Sequence, residues 1–130
     1  MKYLYLVCRI LLGLLFIVFG ANILHPFLPQ PAMSGKPLDF MMVMGPSGWM
    51  HHVGFFQVLG GLLILLGGTV PLGLCILCPI TFNILLFHIL LLGGQGIGPG
   101  IGAAAMELAL IYGYRQHFAG ILTVRATPTF

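Results

Sequence analysis

The stretch "PLGLCILCPITFNILLFHILLL", positions 71–92, carries no charged residue. At about 1.5 Å per residue it reaches about 30 Å, the thickness of the hydrocarbon layer of a bilayer. In lipid the backbone polar groups must be satisfied within the segment itself, so this stretch reads as a membrane-spanning helix. Asn83 and His88 lie inside it. Why a segment that belongs in lipid carries an amide and an imidazole is the functional question the sequence poses.

Three further apolar runs flank it, at positions 3–24, 52–68 and 100–118. Of the 130 residues 59% are hydrophobic and only 5% charged, a balance far outside that of soluble domains. The fold class expected is therefore all-α: one four-helix transmembrane bundle over positions 1–130, with the bilayer as its first partner. The opening run starts like a signal peptide. It is too long, contains Arg9 and lacks a small-residue cleavage site, so it reads as a retained first helix.

Lys2, Arg9, Arg115 and Arg125 fall toward the chain ends, whereas Lys36 alone marks the long first loop. The positive-inside rule then puts both termini in the cytoplasm, as expected of a multi-pass protein of a bacterial or archaeal plasma (inner) membrane. The formal charge of +3 reflects this topology, and there is no basic patch for nucleic acid.

The first outer loop, "HPFLPQPAMSGKPLDFMMVMGPSGWMHH", is the longest connection. Its segment "PLDFMMVMG" has the character of a short amphipathic helix at the membrane interface, where Trp49 is also at home. "GGTVPL" is a tight uncharged turn that makes helices two and three an antiparallel hairpin. The second outer loop, "GGQGIGPGIG", leads into "GPGIGA", which formally matches a dinucleotide fingerprint. No strand precedes it, so its glycines are read as a tight re-entry into helix four.

At about 100° per residue, Arg9, Gly13, Phe16 and Gly20 share a stripe of helix one. Gly54, Gln57, Gly61, Ile64 and Gly68 do so on helix two, and Gly100, Ala103, Glu107, Ile111 and Tyr114 on helix four. Small residues permit close helix approach in lipid, and a charge facing hydrocarbon costs at least about 2.5 kcal/mol, so the stripes are expected to turn inward. An Arg9–Glu107 ion pair follows as an expectation. Asn83 and His88 stand about 140° apart and are expected to serve different interfaces, Asn83 by a hydrogen bond across helices. Arg9, Gln57, Asn83, His88 and Glu107 then form either a binding pocket or interhelical glue.

Cys75 and Cys78 form "CILC", a thiol pair on one side of the helix, while Cys8 stands alone. Thiol exchange needs a stabilised thiolate, and no basic residue lies near in sequence. His25, His51, His52 and His88 share the outer third with Met33, Met41, Met42, Met44 and Met50, but their spacings match no ligand motif for copper or haem, and no metal site is assigned. Paired carboxylates and a nucleophile–base pair are lacking, so no catalytic residue is assigned and whether the chain is an enzyme stays open.

"RILLGLLFIVFGANILHPFLP", "FMMVMGPSGW", "FQVLGGLLILLGGTVPLGLCILCPITFNILLFHILL" and "MELALIYGYRQHF", in that order and across nearly the whole chain, resemble the DoxX family of small four-helix membrane proteins. The resemblance implies a membrane and redox setting without a reaction, and a redox-enzyme partner or a homo-oligomer is expected beside the bilayer. It favours a redox-accessory subunit whose inward polar cluster binds a lipophilic molecule such as a quinone. Many relatives have Glu where this chain has Gln57, which puts any role for a second carboxylate in doubt. The alternative is a structural, partner-binding bundle whose polar residues only fix helix packing.

Overall fold

The computed structural model describes residues 2–29 and 32–129 and is all-helical there, with five α-helices and no strand among the described residues. Positions 30–31 of the long first loop lie outside the described residues. The α-helices are α1 (Lys2–Leu24), α2 (Lys36–Met44), α3 (Trp49–Leu66), α4 (Val70–Leu86) and α5 (Gly98–Gly113). A π-helical turn, Phe87–Leu91, continues α4, and a 3-10 turn, Arg115–Phe118, follows α5.

Three of these segments, α1, α3 and α4 with its π extension, are long and apolar enough to cross a membrane. α5 is shorter. Its 16 residues give about 24 Å of rise, and the 3-10 turn follows after Tyr114.

Local chemistry sets the ends. α3 stops at Leu66, short of the predicted position 68, because Gly67 takes φ +87° and ψ −50°, a backbone conformation outside the helix that L side chains rarely adopt and that glycine tolerates for want of a Cβ. Pro71 and Pro99 sit in the first turns of α4 and α5, where a missing N–H costs nothing. Pro37 does the same for α2, which packs on the π turn: Phe40 and Phe87 lie 5.1 Å apart, and Pro37 is buried.

The four long helices close a ring in which α1 packs on α3, α3 on α4, α4 on α5, and α5 back on α1. The α1–α3 seam is the tightest. A Cβ at Gly61 would lie 2.7 Å from the Gly13 carbonyl oxygen, and one at Gly20 would lie 2.8 Å from that of Gly54. Gly13 and Gly20 thus face Gly61 and Gly54 in one antiparallel register, and backbone meets backbone.

Leu12, Ile64, Val70, Leu74, Leu77 and Leu110 are fully buried and form the core at the end of the ring near the α3–α4 turn. Leu14, Leu62, Phe82 and Leu108 face outward while Gln57, Thr81 and Glu107 are buried. An apolar exterior around an interior holding a carboxyl and an amide inverts the distribution of a soluble protein, and it is the one that lipid as solvent selects.

Candidate functional site

Arg9 lies one turn below the first glycine contact of α1. Its Nε donates to the Ile64 carbonyl at 3.2 Å and its Nη2 to that of Leu65 at 2.9 Å. The guanidinium covers Gly67, where a Cβ would sit 2.8 Å from Nη2. The last carbonyls of a helix have no partner within it and carry its negative dipole end, so a cation from a neighbouring helix suits them. The Thr69 hydroxyl donates to Leu63 at 2.7 Å and completes this cap.

The expected Arg9–Glu107 pair is thereby replaced by two separate arrangements. Glu107, on the inward face of α5 and only 4% exposed, accepts a hydrogen bond from Thr81 Oγ1 of α4 at 2.5 Å. Cys78, one turn before Thr81, is half-buried and also neighbours this carboxyl. Ala103 and Leu110 seal the position along α5. The arrangement is a carboxyl clamped between two helices.

Gln57 is 3% exposed, with its stem against Gly20. No fully enclosed side-chain nitrogen or oxygen among the described residues lacks a hydrogen-bond partner. Asn83 does not make the bond across helices expected of it. Asn83 is exposed and its amide donates to the Pro79 carbonyl of its own helix at 2.9 Å. His88 is half-buried, with Nδ1 2.8 Å from the Ile84 carbonyl, and it stands edge-on to Phe87. Each turns back one helical turn, to the carbonyl four residues before it.

Cys75 is exposed whereas Cys78 turns toward α5, so the two thiols, though neighbours on the helix surface, meet different surroundings. Among the described residues no group of three His, Cys, Asp or Glu side chains converges to hold a metal ion.

Two features escaped sequence reasoning. Thr81 is the one hydroxyl residue between positions 70 and 91, a signal that was available. The second is a groove of about 590 Å³ between α3 and α4, lined by Trp49, His52, Val53, Phe56, Ile76 and Ile80. Its walls are almost wholly apolar. His52 Nδ1 lies 2.9 Å from the Gly48 carbonyl, which leaves Nε2 for a partner at the groove mouth. Sequence spacing could not show that these side chains leave a groove between α3 and α4.

Comparison of the chain with protein-family models, with curated proteins and with solved structures gave no match in any of the three.

Proposed function

We propose that this protein is a small multi-pass membrane subunit of the DoxX type: four spanning helices, both termini cytoplasmic, acting as a non-catalytic, redox-accessory scaffold for a partner. The observation that carries this reading is the closed interior. Arg9 is held by the end of α3 and Glu107 by Thr81, so these polar groups join helices pairwise. A four-span topology is supported by the length of α5 with its 3-10 turn and by its seat between α1 and α4. The Tyr5–Gly113 contact brings the Lys2 and Arg115 ends together, in keeping with one basic side. The ordered motifs of the chain support the family likeness.

A second reading, binding of a lipophilic molecule such as a quinone, draws support from the α3–α4 groove. Its volume and apolar walls suit a ring or isoprenoid tail, and His52 Nε2, left as the acceptor because Nδ1–H donates to the Gly48 carbonyl, suits a quinol hydroxyl at the mouth.

Protein purified in mild detergent, followed by a visible spectrum, solvent extraction and mass spectrometry against a no-protein membrane blank, separates these readings. The scaffold reading expects a clear spectrum and lipids matching the blank. Quinone enriched in the wild type and lost in His52→Ala but kept in Glu107→Gln would install the groove reading. Loss in Glu107→Gln with retained folding would instead overturn the closed interior.

A further inference from the structure

We propose that the outward stripe of α4 that runs through Pro79 and carries Asn83 is a dimer face that takes a second copy of this chain, an inference that rests on the membrane reading above. At about 100° per residue, Leu72, Pro79, Asn83, Leu86 and Leu90 fall within about 60° of one another, with Cys75 at the edge. Leu72 is 56% and Leu90 70% exposed, and Pro79, Asn83 and Cys75 are exposed as well.

Between the ends of α1, α3, α4 and α5, Asn83 is the one outward-facing side chain with an amide or a charge among the described residues. It lies about 4 Å from the middle of the Val70–Leu91 segment, where lipid offers no hydrogen-bond partner. An amide has two N–H donors and an oxygen with two lone pairs. One N–H goes to Pro79, which leaves a donor and an acceptor pointing outward. Pro79 adds to the need, since its missing N–H deprives the Cys75 carbonyl of its usual donor on the same side of the helix.

The occupant follows from that chemistry. All copies of a membrane protein insert in the same orientation, so Asn83 of a second copy arrives at the same depth on a parallel α4. A donor–acceptor pair meeting its own copy across a two-fold axis is self-complementary: each N–H donates to the other Oδ1, as an isologous interface requires. Leu72, Leu86 and Leu90 pack above and below. With helix axes about 9 Å apart and the face centred near Pro79, the two Cys75 Cα atoms come within about 6 Å, inside the range a disulfide can bridge.

The test uses full-length protein in native membranes, with Cys8→Ala and Cys78→Ala leaving Cys75 as the only thiol. Copper-phenanthroline oxidation is expected to give a species of twice the chain mass that dithiothreitol reverses. Asn83→Leu should lower the association constant about tenfold, and Asn83→Gln should restore part of it. The same thiol moved to the outward face of α5 by Leu108→Cys, in place of Cys75, should stay monomeric. Equal cross-linking at both positions, indifference to Asn83→Leu, or a product of any other mass overturns the proposal. Fluorescence energy transfer between labelled wild-type chains in liposomes, compared with Asn83→Leu across lipid dilution, measures the same association without the cysteine changes. Release of the chain from membranes by alkaline carbonate would remove the membrane reading itself, whereas a carbonate-resistant monomer removes only the dimer.

Discussion

Replacing Arg9 by methionine keeps an apolar stem on α1 and removes the guanidinium from the end of α3. Two hydrogen bonds disappear, at 3.2 and 2.9 Å, and the carbonyls of Ile64 and Leu65 lose their donors. In soluble proteins a bond to a charged group contributes about 1.5–3 kcal/mol, but interhelical bonds measured in bilayer proteins average about 0.6 and reach about 1.7 kcal/mol. Two bonds on a half-buried arginine therefore place the loss at about 1–3 kcal/mol. Trp49, the single tryptophan, opens α3 and provides a fluorescence probe of unfolding when detergent micelles are titrated with a denaturing detergent. Arg9→Lys should recover less than half of the loss, because an ammonium cannot span two carbonyls as the planar fork does. Crossing Arg9→Met with Glu107→Gln decides between the observed cap and an ion pair. The cap predicts a coupling below about 0.5 kcal/mol, since the two side chains have different partners. A coupling of about 1 kcal/mol or more would refute the cap as the main role of Arg9.

Three other outcomes follow from the packing. Thr81→Val should destabilise the bundle by about 1–3 kcal/mol, because Glu107 loses its hydroxyl partner, and the loss should nearly vanish in a Glu107→Leu background when both are followed by the same detergent titration. Gly61→Ala places a methyl 2.7 Å from the Gly13 carbonyl oxygen and should cost about 1–3 kcal/mol. Gly102→Ala, on the open face of α5, should be neutral or gain up to about 1 kcal/mol of helix propensity. A shared sign for the two glycine changes in thermal melts would sink the account of the α1–α3 seam.

The helical character of the chain was legible from run length alone, since only helices satisfy twenty apolar residues in lipid. Stripe arithmetic also located buried positions, such as Gly13, Phe16 and Gly20 on α1 and Gly54, Gln57, Gly61 and Ile64 on α3. Partners were harder to read. Side-chain reach allowed Arg9 to meet Glu107, yet the guanidinium takes the orphan carbonyls of α3, whose position depends on where Gly67 ends the helix. Asn83 was expected to bond across helices, but it found a carbonyl of the preceding turn, as His88 does, which costs no interhelical fit. Thr81 escaped notice because a lone threonine among leucines signals little until α5 brings a carboxyl against it. The α3–α4 groove depends on how side chains of two helices meet, which no local pattern encodes.

The α1–α3 seam also explains why Arg9 and the glycines belong to one device. Gly13 meets Gly61 and Gly20 meets Gly54, while Arg9 reaches Leu65 in the same antiparallel register. A seven-residue spacing repeats a helix face every two turns, so the seam holds only if the helices cross at a shallow angle. Sliding α1 by one turn would bring bulky side chains against the backbone that the glycines now touch. It would also carry the guanidinium about 5 Å past the end of α3 and leave that end without its cation. Steric fit and electrostatics therefore select the same register by independent means, and agreement between levels is what gives a sequence one packed state. Lipid supplies no hydrophobic drive between helices, so this specificity must come from close contact and polar caps. An arginine in an otherwise greasy helix is accounted for by the turn it caps.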